Sequence, residues 1–269
     1  MLNRIFFFAL VVLAISGCTT PVLIAEVAGT STLTPAIVGN GIFQIQSLQP
    51  KEGHFAKLRV YIEGDGRAWI TSSQPSADPT PLSAMLINMA TADPTPAAYL
   101  ARPCQFVDNL NCRPTVWTDQ RFSRAAINSM SSALDALKQR FAVEQFELVG
   151  YSGGAAVALI LAGERDDVFQ LQTIAGNVDP VAWVQAKQLS PLSGSLDPLA
   201  YCAKLRLIPQ RHFVGSDDEV IAPTLVRGYA RKVQAQCLEI VEVRASHHDG
   251  YASAWAAFSQ QPISCGAPY

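Results

Sequence analysis

A serine between glycines lies where an apolar segment meets a run of small apolar residues. Ser152 is the centre of Gly-Tyr-Ser-Gly-Gly at 150–154, which follows the apolar stretch 146–149 and precedes 155–162. A strand followed by a helix would put this serine on a tight turn, where glycines let neighbouring backbone approach closely. The unpaired N–H groups at the start of such a helix suit a developing oxyanion. We therefore interpret Ser152 as a nucleophile; the alternative is a serine that only caps the helix.

A serine hydroxyl needs a base that takes its proton and a group that orients the base. Both residue types occur later in the chain, each directly after a predicted strand. The acidic pair 217–218 follows the strand predicted at 211–214, and the histidine pair 247–248 follows the strand predicted at 238–243. Because sites of open parallel sheets gather at the carboxyl ends of the strands, we expect these pairs to lie near Ser152.

The elements that must position these residues alternate along the chain. Apolar runs predict strands, and spacings of three and four residues predict helices. This alternation predicts an α/β protein with a mostly parallel central sheet, helices on both faces and a small insertion at 179–204. The predicted strands are 43–46, 58–62, 97–101, 146–149, 169–175, 211–214 and 238–243, and the predicted helices are 81–90, 120–141, 155–162, 224–235 and 252–258.

From about residue 41 to about residue 260 the chain resembles the α/β-hydrolase superfamily. The resemblance rests on the pentapeptide 150–154, on the Gly-x-x-Asp-x-Val turn at 215–220 and on the late histidine pair. It implies the α/β-hydrolase fold and hydrolysis through an acyl-enzyme, without a cofactor. Carboxylic ester hydrolysis is the reaction that we expect from the superfamily as a whole.

The resemblance also implies roles for individual residues. Ser152 is the expected nucleophile. Family turns usually place the acid three residues after the glycine, which favours Asp218 over Asp217. The first histidine after the last strand is usually the base, which favours His247 over His248.

The resemblance further implies an oxyanion hole made of two backbone amides. The first is the N–H of Gly153, the residue after the nucleophile. The second comes from the loop after strand 58–62, where the N–H of Asp65 is the best match and that of Gly66 the alternative. A carboxylate beside an oxyanion is unfavourable unless it is paired, and Arg67 is the partner that we expect for Asp65.

The N-terminus carries signals for export. Arg4 precedes the apolar run 5–15, which is too short to span a bilayer. The sequence Ile-Ser-Gly-Cys at 15–18 resembles the lipobox of bacterial lipoproteins, and this resemblance implies cleavage before Cys18 and acylation of that cysteine. The alternative is an ordinary secretory signal with a chance cysteine.

These signals predict three regions and a location. We expect a signal peptide at 1–17, a lipidated tether at 18–40 and one hydrolase domain at 41–269. The protein would be anchored in the bacterial cell envelope. In a Gram-negative host, threonines rather than aspartate after the lipidated cysteine resemble sorting to the periplasmic side of the outer membrane.

Export would expose the other cysteines to an oxidising compartment. Cys104 and Cys112 flank a short polar loop, which predicts a local disulfide. Cys202 and Cys237 each shortly precede a predicted strand at the same edge of the sheet, which makes them the second predicted pair. Cys265 is then left over.

Composition limits the partners. With 49 % hydrophobic residues, 16 % charged residues and a net charge of −2, the chain lacks a basic run, so nucleic acid is not an expected partner. The acidic cluster 217–219 lacks the ligand spacing of a calcium loop, so no metal is expected. The expected substrate is a small-molecule or lipid-like ester. The alternatives are an amidase or peptidase with the same residues, and a non-catalytic lipoprotein that uses the fold as a binding scaffold.

Overall fold

A computed structural model of the chain describes Ile24, Gly29 and residues 31–265, and most of these residues pack around one eight-stranded sheet. The signal peptide expected at 1–17 and the acylation expected at Cys18 lie outside the described residues. The strands are β1 (Leu33–Val38), β2 (Ile45–Pro50), β3 (Lys57–Ile62), β4 (Ala97–Leu100), β5 (Gln145–Tyr151), β6 (Val168–Ile174), β7 (Gln210–Gly215) and β8 (Leu238–Val243).

The strand order is β1-β2-β4-β3-β5-β6-β7-β8. The pairs β1/β2 and β2/β4 are antiparallel, and every other neighbouring pair is parallel. The prediction of a mostly parallel α/β sheet is therefore confirmed. Because β5, β7 and β8 run in the same direction, the loops that follow them meet at one edge of the sheet.

Helices cover both faces of the sheet, and two hydrophobic cores result. Val60 of β3 belongs to one core, and its neighbour Tyr61 belongs to the other, as the alternation of side chains along a strand requires. The helices are α1 (Met85–Thr91), α2 (Arg124–Phe141), α3 (Gly153–Glu164), α4 (Pro180–Ala186), α5 (Cys202–Leu205), α6 (Pro223–Val233) and α7 (Ala252–Phe258).

Helix α3 is the element that carries the predicted nucleophile at its start. Its residues 153–162 are all buried, which explains why this helix has no polar face. Helix α2, on the same side of the sheet, is amphipathic instead. Its buried positions recur every three or four residues and include Ala126, Ile127, Met130, Ala133, Leu134 and Leu137.

The sheet begins earlier in the chain than predicted. Strand β1 lies within 18–40, the region that we expected to be a tether, and it pairs along its whole length with β2. Leu33 and Val38 are buried, but Thr34, Pro35 and Ala36 are small or polar, and the apolar Ile37 is exposed. This edge strand is held by backbone pairing with β2 and contains no apolar run, so its sequence did not predict a strand.

The structure contains the predicted disulfide between Cys104 and Cys112. The prediction that Cys202 pairs with Cys237 is wrong, because Cys237 is bonded to Cys265 and Cys202 is a free thiol. Cys202 begins α5, which packs against α3 and α6. The segment after α7 returns along β8, where the N–H of Ser264 donates to the side chain of Glu239 over 2.6 Å, and this path brings Cys265 to Cys237.

Within residues 31–265, none of the helices is both long enough and apolar enough to span a bilayer.

Candidate active site

Ser152 connects β5 to α3 in a backbone conformation that residues other than glycine rarely adopt, with φ at 49° and ψ at −121°. The surrounding backbone holds it there. The Ser152 N–H donates to the carbonyl of Ile174 over 3.0 Å, and its carbonyl accepts from the N–H groups of Ala155 and Asn177 over 3.1 and 2.9 Å. A strained residue that its neighbours hold in place in this way is typical of functional sites.

The glycines around Ser152 are required by close packing. A Cβ atom on Gly150 would lie 2.5 Å from the Cα of Ala155, and one on Gly154 would lie 2.3 Å from the carbonyl oxygen of Ile62. Both contacts are with backbone, which cannot move aside easily. Gly150 therefore lets β5 turn closely into α3, and Gly154 lets the start of α3 press against the end of β3.

The structure joins the predicted serine, histidine and aspartate in one chain of hydrogen bonds. The Oγ atom of Ser152 lies 2.9 Å from Nε2 of His247. The Nδ1 atom of His247 lies 2.9 Å from Oδ2 and 3.1 Å from Oδ1 of Asp218. Asp218 and His247 are both buried. Because an ionised carboxylate only accepts, Nδ1 carries a proton, and Nε2 of a neutral His247 is then free to accept from the serine hydroxyl.

The position of Asp218 is fixed by the turn that follows it. Its Oδ1 atom accepts from the N–H groups of Val220 and Ile221, each over 2.8 Å. Asp217, the alternative acid, is exposed and accepts from the hydroxyl of Ser216 over 3.2 Å. Only Asp218 of the two therefore contacts the histidine.

The second histidine of the pair lies outside this chain. Nδ1 of His248 lies 2.8 Å from the hydroxyl of Tyr151, which also donates to the carbonyl of His247 over 3.1 Å. Burial and the neighbouring imidazole of His247 lower the pKa of His248. The tyrosine thus links both histidines to the serine turn, a contact that the sequence pattern did not reveal.

The two amides predicted for an oxyanion hole belong to segments that touch. A Cβ atom on Gly153 would lie 2.1 Å from Oδ1 of Asp65, so the loop after β3 packs directly on the start of α3. Among the described residues, neither the N–H of Gly153 nor that of Asp65 donates a hydrogen bond. Both donors are available near Ser152. The alternative, Gly66, has φ at +60° and packs against the carbonyl of Pro79.

The carboxylate of Asp65 is paired, but not with Arg67 as predicted. Its Oδ2 lies 2.5 Å from Nη1 of Arg121, and its Oδ1 lies 3.4 Å from Nη1 of Arg102. Arg67 uses its backbone N–H instead, which donates to Pro79. Sequence proximity suggested the wrong arginine, since the true partners are 37 and 56 residues further along the chain.

Glu63, directly before this loop, is a buried acid, for which the sequence suggested no role beyond shaping the turn. Its Oε1 accepts from the N–H of Gly64 over 2.8 Å, and its Oε2 accepts from the hydroxyl of Tyr99 over 2.9 Å. Burial raises the pKa of Glu63 to about 7, although both hydrogen bonds act in the opposite direction. Glu63 thus fixes the loop that carries Asp65.

No metal-binding arrangement of three or more His, Cys, Asp or Glu side chains occurs in the described part of the chain. The acidic cluster 217–219 instead supplies Asp218 to the histidine and leaves its neighbours at the surface.

The fold is that of α/β hydrolases. An esterase of Pyrococcus furiosus superposes with a TM-score of 0.63 at 10 % identity, over 88 % of this chain and 91 % of the esterase. A Xanthomonas campestris α/β serine hydrolase without a lid gives a TM-score of 0.52 at 12 % identity, over 80 % and 86 % of the two chains.

The same fold occurs in an acylaminoacyl peptidase of Pyrococcus horikoshii, with a TM-score of 0.59 at 11 % identity, over 89 % of this chain and 43 % of that one. Compared with protein-family models and with curated protein sequences, the chain matches none.

Proposed function

We propose that the protein is a serine hydrolase that cleaves carboxylic esters through an acyl-enzyme. One observation carries this proposal: the hydroxyl of Ser152 is hydrogen-bonded to His247, which is in turn hydrogen-bonded to buried Asp218. The fold that the chain shares with esterases and other serine hydrolases is in keeping with it.

In the first half of the reaction, Ser152 Oγ attacks the carbonyl carbon while Nε2 of His247 takes its proton. The carbonyl oxygen becomes an oxyanion, and the free N–H groups of Gly153 and Asp65 are the donors that we assign to it. Collapse of this intermediate breaks the ester bond. His247 returns the proton to the leaving alkoxide, which departs as an alcohol, and an acyl group remains on Ser152.

In the second half, a water molecule replaces the alcohol. His247 takes a proton from this water as its oxygen attacks the acyl carbon, and a second oxyanion forms in the same place. The bond to Ser152 breaks, the proton passes from His247 to Oγ, and the carboxylic acid leaves. Asp218 stabilises the charged imidazole in both halves and keeps Nε2 directed at the serine.

The carboxylate of Asp65 would oppose an oxyanion if it were unpaired. Its ion pairs with Arg121 and Arg102 remove this conflict and hold its backbone N–H beside Gly153. We assign both arginines a positioning role in this reaction.

Amide or peptide hydrolysis is the second candidate, and the fold shared with an acylaminoacyl peptidase favours it. A matched pair of substrates separates the candidates: an aryl ester and the anilide of the same short acyl group. We expect the ester to be hydrolysed, and Ser152→Ala to abolish this hydrolysis without changing the melting temperature. Hydrolysis of the anilide at a comparable kcat/KM would favour the amidase. A folded protein that cleaves neither would favour the binding scaffold.

We further propose that Cys18 anchors the protein in the cell envelope. The support is the lipobox-like sequence at 15–18. The proposed hydrolase activity does not depend on this anchor. Several acyl chains on one residue would hold the protein stably in a membrane. Cys18→Ser should release the protein from the membrane fraction, whereas a Cys18→Ser variant that stays in that fraction would disprove the anchor.

A further inference from the structure

Two buried arginines share one carboxylate beside the proposed nucleophile. The side chains of Arg102 and Arg121 are each 6 % exposed, and both contact Asp65, which packs against Gly153. The whole chain carries a net charge of −2, so general basicity does not account for this pair. Burying two guanidinium groups against one carboxylate costs free energy unless another acceptor takes part.

The hydrogen bonds of the two side chains leave donors unused. Arg121 donates from Nε to the carbonyl of Thr118 and from Nη1 to Asp65, each over 2.5 Å. Its Nη2 has no hydrogen-bond partner among residues 31–265, and this atom is accessible to solvent. Arg102 donates from Nη2 to the carbonyl of Arg121, whereas its Nε is buried without a hydrogen bond.

No second carboxylate of the described chain compensates for this charge. Asp65 is the one acid there within ion-pair distance of either guanidinium. Glu63 is nearby, but its oxygens accept from Gly64 and Tyr99. Burial and the charge of Arg121 also lower the pKa of Arg102 to about 10, as expected for two cations that repel each other.

Arg121 contacts both the loop after β3 and helix α4. On one side it binds Asp65 of the loop after β3. On the other side its guanidinium carbon lies 5.9 Å from the ring of Trp183. The Nε1–H of that tryptophan donates to the carbonyl of Val220 over 3.0 Å, and the N–H of Val220 binds Asp218. Through Asp65, which packs on Gly153, the free donor of Arg121 lies on the same side of the sheet edge as Ser152.

We propose that Arg121, supported by Arg102, forms a subsite for an anionic group of the substrate, so that the preferred esters carry a carboxylate a few bonds from the reacting carbonyl. This proposal rests on the function proposed above. A guanidinium with one free edge suits a carboxylate, to which it donates charge-assisted hydrogen bonds.

The test compares aryl esters in matched pairs: half-esters of succinate, glutarate and adipate against esters of butanoate, pentanoate and hexanoate. The quantity of interest is the ratio of kcat/KM within each pair. We expect the charged ester to be favoured in at least one pair, by about tenfold or more, as a single charge-assisted contact allows. Arg121→Gln should remove this preference, and Arg121→Lys should retain part of it.

The ratio separates substrate recognition from structural damage. If Arg121 only holds Asp65, its replacement lowers the kcat/KM of both esters equally and leaves the ratio unchanged. Arg113→Gln, which removes an exposed charge from the same segment, is the matched control and should also leave the ratio unchanged.

Neutral esters favoured in all three pairs by the unmodified protein would overturn the anionic subsite. The proposed function would survive that result as long as the neutral esters are hydrolysed through Ser152. If instead the folded protein hydrolyses none of these esters, and Ser152 does not react with a fluorophosphonate probe for activated serines, both proposals are wrong.

Discussion

Nε2 of His247, and not a nitrogen of the adjacent His248, lies 2.9 Å from the hydroxyl of Ser152. His248 instead contacts the hydroxyl of Tyr151. The two histidines thus occupy different positions around the same serine. Because only His247 connects the hydroxyl to Asp218, the two side chains should contribute very differently to catalysis.

The histidine pair therefore provides a sharp comparison. His247→Gln should lower kcat by about 10³-fold or more, since within residues 31–265 no other base is hydrogen-bonded to the serine hydroxyl. His248→Gln should lower it by less than about tenfold, because the hydrogen bond of that ring in the described structure is with Tyr151 and not with Ser152. Initial rates on one aryl ester measure both effects. Equal losses in the two variants would contradict the assignment of His247 as the base.

The two aspartates of the 215–220 turn offer a second comparison. Asp218→Asn should lower kcat by about 10²–10⁴-fold, because an amide can stabilise the wrong tautomer of His247 and cannot balance its positive charge. Asp217→Asn, which changes an exposed side chain, should leave kcat nearly unchanged. Steady-state kinetics with thermal melting as a folding control measure both. A large loss with Asp217→Asn alone would reverse the assignment.

Buried Glu63 predicts a pH dependence of stability. Its pKa is raised to about 7 in the folded protein from 4.5 for an ordinary glutamate, so the unfolded chain ionises first as the pH rises. The free energy of unfolding should therefore decrease between about pH 4.5 and pH 7, by on the order of 3 kcal/mol from this group.

Glu63→Gln, which resembles the protonated acid, should flatten that part of the pH profile. Urea unfolding at pH 5 and pH 8 measures the change. The exposed Glu52→Gln variant is the control and should keep the profile of the unmodified protein. If Glu63→Gln keeps the full pH dependence, the burial of a protonated Glu63 is not its cause.

The disulfide between Cys237 and Cys265 predicts a loss of stability when it is removed. Closing a loop of this length, with a sequence separation of 28, stabilises the folded state by about 3.5 kcal/mol in the chain-entropy treatment. Cys265→Ser should lower the free energy of urea unfolding by roughly that amount. Cys202→Ser is the matched control, because that thiol is free. A larger loss from Cys202→Ser would restore the pairing with Cys237.

Local patterns predicted the parts of the site that depend on one strand and the loop that follows it. The glycines at 150 and 154 signal the serine turn because only glycine fits against Ala155 and Ile62. The resemblance to α/β hydrolases favoured Asp218 and His247, and these are the members of each pair that the structure brings to Ser152.

Contacts between distant segments were not predicted, because nothing in a local pattern encodes them. The partners of Asp65 are Arg102 and Arg121, which loops bring back to it across the edge of the sheet. Cys265 reaches Cys237 only because the terminal segment returns along β8. Hydrophobic patterns specify which residues are buried. These pairings depend instead on the paths of loops and of the terminal segment, which such patterns do not specify.

If Ser152 is an activated nucleophile, it should react with a fluorophosphonate probe, which bonds covalently to a reactive serine with loss of fluoride. Mass spectrometry of the labelled protein then identifies the modified residue. We expect one probe per chain, attached to the peptide that contains Ser152, and no labelling of Ser152→Ala or His247→Gln. A folded protein that stays unlabelled, or one labelled at another serine, would contradict the assignment of Ser152 as the nucleophile.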